Sequence, residues 1–162
     1  MAIFELYTKL REKQKVKRLY GLLERQFAKL MREASRRKGL SGEILLQMLE
    51  LRADNTVYRA GFAPSRRAAR QLVSHGHFLL NNNRIDIPSL QVKVGDVLSF
   101  RPHSLKGEYF KHLDDVSAAP STYPAWIKVN RKKGEVSIVS LPTRDDAEID
   151  INEQLIVEYY SR

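Results

Sequence analysis

Between residues 65 and 100 the chain reads SRRAARQLVSHGHFLLNNNRIDIPSLQVKVGDVLSF, a basic helix that runs straight into a compact set of turns and short strands. Such a stretch commits the chain to mixing helix with a small antiparallel sheet. Pro64 or Ser65 opens the helix, since Pro suits a first turn and Ser an N-cap. Ala68, Ala69, Leu72 and Val73 supply its packing face. Arg66 and Arg70, four residues apart, share another face, with Arg67 beside them. Residues 78–80 and 84–87 read as strands around an Asn81-Asn82-Asn83 turn. Further turns fall at Pro88-Ser89 and Gly95-Asp96, before a strand at 97–101. Arginine forks and turn N–H groups both suit phosphate oxygens. Nothing in the segment is built to make or break a covalent bond.

The chain has 162 residues and a formal charge of +9. The charge is local. Residues 9–38 hold twelve Lys/Arg against three Glu, an excess of nine that equals the whole-chain value, so the remainder sums to zero. A concentrated basic excess is the footprint of a polyanion-binding protein. Cysteine is absent, which removes disulfides, thiolate metal sites and thiol nucleophiles. No apolar run approaches the length of a membrane span, and the first residues lack the pattern of a signal peptide.

Val16, Leu19, Tyr20, Leu23, Phe27, Leu30, Met31 and Ala34 recur at spacings of three and four, the apolar face of an amphipathic helix. Arg11, Lys15, Arg18, Arg25, Lys29, Arg32 and Arg36 form a second stripe on nearly the opposite side. Gly21 is a candidate break that would shift the phase between the halves. A purely solvated helix face mixes charge signs, and this one does not. A membrane surface fits less well, because the apolar face lacks Trp and is needed for packing. Gly39 suits a C′ position and Ser41 an N-cap. The next helix buries Leu45, Leu46, Met48 and Leu49.

Chemistry-bearing residues elsewhere are sparse. His75 and His77 flank Gly76, but a metal site needs further ligands and neither cysteine nor a convergent acidic cluster offers them. A structural role or an RNA contact is expected instead. His103 and His112 read as isolated and exposed. Tyr20, Tyr58 and Phe62 are candidates for base stacking, yet their helical apolar pattern favours the core. Gly39-Leu40-Ser41-Gly42 lacks the lysine and preceding strand of a phosphate loop. Asp54, between Arg52 and Arg59, is the most enzyme-like residue; it pairs with a nearby arginine or caps a helix start. No catalytic activity and no obligatory cofactor are expected. Residues 109–116 suggest a short helix and 117–124 a loop. Residues 126–129 and 135–139 suggest a hairpin with a basic Arg131-Lys132-Lys133 tip. Residues 141–150 read as acidic and extended.

RADNTVYRAGF, followed by SRRAARQLVSHGHFLLNNNRIDIPSLQVKVGD, resembles the S-four RNA-binding domain. REKQKVKRLYGLLERQF near the start and INEQLIVEYYSR at the end make the chain similar to the bacterial-type small-subunit ribosomal protein S-four family, from Arg11 to Arg162. The resemblance implies an α+β fold. A helical domain would comprise 1–51 and 141–162, with a short terminal helix packed on the N-terminal ones. An S-four module with a small sheet and hairpin would occupy 52–140. It further implies a structural component of the small ribosomal subunit that binds its ribosomal RNA first, nucleates assembly of the subunit body and influences translational accuracy. Implied neighbours are ribosomal protein S-five and mRNA near the entry path, with no membrane partner and a monomer off the ribosome.

Charge pattern and resemblance together give the expected RNA contacts. On the N-terminal helices these are Arg11, Lys13, Lys15, Lys17, Arg18, Arg25, Lys29, Arg32 and Arg36. In the module they are Arg52, Arg59, Ser65, Arg66, Arg67, Arg70, Gln71, His75, Asn81 and Asn82. Two departures stand out. The family usually has Asn-Gly where this chain has Asn81-Asn82; Asn also tolerates the left-handed conformation. Bacterial members normally begin with an extra N-terminal segment, in some cases bearing a cysteine zinc cluster, so the contacts of that segment and any zinc are expected to be missing. An RNA-modifying enzyme such as a pseudouridine synthase also carries an S-four module, but the residues outside it show basic helices and a hairpin rather than a placed catalytic acid. Heat-shock and ribosome-rescue factors with the module need neither the long basic helices nor INEQLIVEYYSR.

Overall fold

In the computed structural model, which describes residues 2–148 and 150–161, helix α1 (Ile3–Tyr20) stops at Gly21. Gly21 adopts φ 70°, ψ 34°, a left-handed conformation open to glycine at little cost. Its N–H reaches the Arg18 carbonyl, and the Leu22 N–H reaches that of Lys17 at 2.9 Å, which closes the helix in a Schellman arrangement. After two linking residues α2 (Glu24–Arg36) begins, followed by α3 (Ser41–Glu50). The break resets the helical phase. Leu22 is buried and Leu23 is 76% exposed, so the expected place of Leu23 on the apolar face is corrected: it stands at the N-cap of α2. Ser41 is the first helical residue of α3 rather than its cap.

The chain then forms α4 (Ala53–Arg59), α5 (Arg66–Ser74), β1 (Phe78–Leu80), β2 (Asn83–Ile85), β3 (Val97–Phe100), α6 (Pro102–Leu105), α7 (Glu108–Lys111) and α8 (Leu113–Val116). The strands β4 (Ile127–Asn130) and β5 (Glu135–Ile138), a 3-10 turn at Arg144–Asp146 and α9 (Glu153–Tyr160) complete it. The expected α+β class is borne out. Two compact units result: Met1–Glu50 with Thr143–Arg162, and Leu51–Pro142.

In the first unit α9 packs on α1 and α3. Val16, Phe27, Ala34, Leu45, Leu49 and Ile156 are fully buried in one cluster. The Tyr20 hydroxyl donates to buried Glu50 Oε2 at 2.6 Å. Residues 141–150 are not simply extended: the Thr143 and Asp146 side chains form a reciprocal capping box around the 3-10 turn. Ile149, inside that stretch, lies outside the described residues, as do Met1 and Arg162.

The second unit holds a five-stranded antiparallel sheet in the order β2-β1-β3-β5-β4. Alternation sends Phe78, Leu98, Phe100, Val136 and Ile138 into the core, against Phe62, Val73 and Trp126. Phe78 and Phe62 approach Phe100 with ring centroids 4.5 and 5.2 Å away. The Asn81-Asn82 turn has φ of 50° and 69°, left-handed at both residues as a tight two-residue hairpin requires. The helix expected at 109–116 is two one-turn pieces, α7 and α8, interrupted at His112, where φ is −106° and ψ 24°.

Candidate nucleic-acid interface

Four glutamates sort the cations of α1 and α2. Glu24 accepts from Lys17 at 2.9 Å, pairs with Lys13 at 3.1 Å and receives the Tyr160 hydroxyl at 2.9 Å. Partial burial works against the charged carboxyl. The donors outweigh it and hold Glu24 below the usual carboxylate range, while burial and then the Glu24 charge push the Tyr160 phenol up. Glu12 pairs with Lys15 at 3.1 Å, Glu158 with Lys9 at 3.5 Å, and Glu33 with Arg36 and Arg37. Lys13 is also buried under the Tyr159 ring, 4.4 Å from its centroid. Lys13 is thus corrected from an RNA contact to a structural cation, and Lys17, Lys15 and Arg36 are partly committed to acids.

What remains is a cleaner surface than the raw count suggests. Arg18, Arg25, Lys29, Arg32 and Lys38 are exposed, with no ion pair to a described residue. Arg25, Lys29 and Arg32 stand at i, i+4, i+7, one edge of α2. Arg11 lies over the Tyr7 ring at 5.8 Å. Phe4 and Tyr7, 78% and 55% exposed, line an open groove of about 890 Å³ with Arg11, Lys15 and Arg18. Sequence reading missed both aromatics. Their spacing of three, then four to Arg11 and seven to Arg18, was the available signal.

The module builds its cations differently. Asp54 is 3% exposed. It accepts Arg52 Nε and Nη2 at 3.1 Å each on its two oxygens, and the Asn55 N–H at 2.7 Å. Arg52 is 2% exposed and so is withdrawn from the set of direct contacts; it neutralises Asp54 from inside. Arg59 is half-buried with a partner of its own. Asn55 Oδ1 then takes Arg66 Nε at 3.0 Å, and the Arg66 guanidinium lies 4.7 Å from the Tyr58 ring centroid. Tyr58 therefore packs on the core and serves as the floor under a cation. Arg70 Nη1 stands 3.9 Å from Asp54 Oδ2, beyond hydrogen-bond reach, and has no hydrogen-bond partner although the atom is buried. Ser65 caps α5, accepting the Ala68 N–H at 3.1 Å. Arg67 and Gln71 are exposed and without a side-chain partner among the described residues.

Farther along, His75 follows α5 and is exposed. The Asn81 side chain is consumed internally: its Oδ1 accepts the Val97 N–H and its Nδ2 donates to Asp96, both at 2.9 Å. It latches the hairpin rather than facing a ligand, which leaves Asn82 at the exposed tip. Arg131 is likewise not part of a basic tip. It holds the carbonyls of Gly61 and Ser117 and the Asp114 carboxylate, so only Lys132 and Lys133 project. His112 is not isolated, since Glu108 and Asp115 lie within ion-pair distance of its ring. Among the described residues no group of His, Asp or Glu is placed to hold a metal ion, and no helix is long and apolar enough to cross a membrane.

Two family models match in tandem: the ribosomal protein S4/S9 N-terminal domain over residues 5–50, and the S4 domain over 51–98. The small ribosomal subunit protein uS4 of Chloroflexus aurantiacus is 53% identical over 154 residues, covering 94% of this chain and 75% of that protein. The proteins of the same name from Solidesulfovibrio magneticus and Clostridioides difficile are 51% and 50% identical over 153 residues, again covering 94% of this chain and 73% of each. The chain thus spans about three quarters of the length of these relatives. With half its residues shared along nearly its whole length, the chain belongs to the uS4 family of small ribosomal subunit proteins.

Proposed function

We propose that this protein is a structural component of the small ribosomal subunit, located on the cytoplasmic ribosome, and that it binds small-subunit ribosomal RNA through two cationic surfaces. The observation that carries the reading is the pairing of family membership with exposed or half-exposed cations in both units: Arg18, Arg25, Lys29 and Arg32 in one, Arg66, Arg67 and Arg70 in the other. Mechanistically, these side chains displace counterions from packed phosphates. Rigid helices match the fixed shape of a folded RNA junction, with little reading of base sequence. Each unit serves as one RNA-binding domain, Gln71, His75 and Asn82 adding polar contacts to the module's arginines.

In this reading the protein joins the RNA early, nucleates the subunit body and influences decoding accuracy. It neighbours ribosomal protein S-five and the mRNA entry path, is a monomer off the ribosome, and performs no catalysis. The test is the affinity of the full chain for protein-free small-subunit ribosomal RNA across a salt series. Log K is expected to fall against log salt by about 0.7–0.9 per phosphate neutralised. A nearly flat plot, or equal preference for large-subunit RNA, overturns the proposal. Multiple turnover on an RNA substrate, lost in Asp54→Asn while binding persists, would favour the modifying enzyme.

A further inference from the structure

A cluster of nitrogen side chains sits at the other end of α5 from Arg66, around the His75-Gly76-His77 pair. His75 follows the helix, and His77 leads into β1. The Arg84 guanidinium on β2 lies across Gly76, so close that a Cβ there would meet Nη2 at 2.6 Å. Arg101 follows β3 at the N-cap of α6, and its N–H is bonded to the His77 carbonyl at 2.9 Å. His103, in α6, is exposed but acts on the His77 ring electrostatically; the expectation that it is isolated is corrected. None of these five groups pairs with a carboxylate of a described residue, and the charges that act on His77 are all positive: Arg101, His75 and His103.

Hydrogen bonds tie His77 to Arg101 through Ser104. Ser104 Oγ accepts Arg101 Nε–H at 3.2 Å and contacts His77 Nδ1 at 2.8 Å. Ser104 Oγ keeps one hydroxyl proton and a second lone pair besides the one Arg101 uses, so it can donate to a bare Nδ1 or accept from a protonated one. Burial, followed by the charge of the nearby Arg101 guanidinium, holds the His77 pKa below the ordinary imidazole range. An anion seated in the cluster offsets that charge and favours the imidazolium. A solvent proton added at Nδ1 is accommodated by a second lone pair on Ser104 Oγ.

We propose that His77, Arg84, Arg101 and His103 form a second phosphate-binding subsite for RNA, whose occupation takes up a proton at His77. This rests on RNA being the partner, and adds to it a place and a pH linkage. Fully exposed cations on α2 have no such linkage, since Arg and Lys do not titrate near neutrality.

The experiment compares the affinity of wild type, His77→Gln and His103→Gln for protein-free small-subunit ribosomal RNA from about pH 8 to about pH 5.5 at constant ionic strength. Gln retains a neutral donor and removes the titration. Wild type is expected to tighten on acidification by about tenfold for each unit by which bound phosphate raises the His77 pKa. That increment vanishes in His77→Gln and shrinks in His103→Gln. In parallel, inorganic phosphate should move the His77 ring titration of the full chain upward by NMR. Equal pH dependence in wild type and His77→Gln, with tight RNA binding retained, overturns the subsite and leaves the RNA reading standing. Loss of RNA binding in every form at all pH values overturns both.

Discussion

The α2 edge and the α5 start carry similar charge by opposite means. On α2, Arg25, Lys29 and Arg32 are exposed side chains on a helix edge, with no hydrogen bond or ion pair to a described residue. On α5, Arg66 is held by Asn55 and Tyr58, while Arg70 stands beside a carboxylate that buried Arg52 already neutralises. The first arrangement supplies potential, which acts at a distance and is screened by salt. The second supplies position, with rotamer freedom lost before any RNA arrives. Equal numbers of arginines in a sequence can therefore differ in what they contribute to binding.

The largest expected effect comes from breaking the scaffold under α5. Asp54→Ala leaves Arg52 charged and almost fully buried with no partner, a change that costs about 3–5 kcal/mol. Urea unfolding should register that loss in the residues of the second unit, while amide exchange in α1 and α2 stays as in the wild type. No substitution on the α2 edge should approach it, because nothing buried depends on those side chains. A midpoint within experimental error of wild type would mean that Arg52 finds water or another acceptor, and the distinction between the two surfaces would fail.

A smaller effect sharpens the distinction without touching the net charge. Arg66→Lys removes the planar fork that bonds Asn55 and covers Tyr58, and should weaken RNA binding by about 1 kcal/mol, or fivefold. Arg25→Lys should change affinity little, because a point charge serves as well on a bare edge. Both variants keep the salt slope, whereas Arg25→Ala and Arg66→Ala each lower it by about one unit if each holds a phosphate. Equal losses from the two Lys substitutions would show that α5 is as unorganised as α2.

Much of this was legible in the sequence, and what was not has a physical cause. The helix at α5, its Ser65 cap, the Asn turn and the Gly21 break follow from local rules about caps and left-handed residues. Leu23 went astray because apolar spacing was read through a break whose two-residue link resets the phase. Lys13 and Arg52 were read as ligands for RNA because charge is visible in a sequence and burial is not. Lys13 lies under Tyr159, from the far end of the chain, and no local pattern records that contact. Asn81 was half right: its backbone conformation was readable, whereas its side-chain latch to Asp96 and Val97 is a tertiary contact. His75 and His77 were visible as a pair, but the approach of His103 was not, since it is distant in sequence from His77 and is brought near by the pairing of β1 with β3.

The smallest effect concerns acid pH, and it tests whether any part of the α1–α2 surface is built. Partial burial opposes the Glu24 charge, but Lys17, Lys13 and Tyr160 together outweigh it and hold its carboxyl below the usual carboxylate range in the folded chain. A depressed carboxylate stabilises the fold above its unfolded pKa, and that contribution is lost as pH falls through the folded one. The first unit should therefore weaken as pH drops below about 4.5 and on through the lower folded value. In Glu24→Gln this part of the pH dependence disappears, with stability reduced at neutral pH and the two forms converging in acid. The side chain is 49% exposed, so solvent screening keeps the difference small. Thermal unfolding of both forms at neutral and acid pH measures it. If the two curves stay parallel throughout, Glu24 is a passive counterion, and the contrast with the organised arginines of α5 becomes complete.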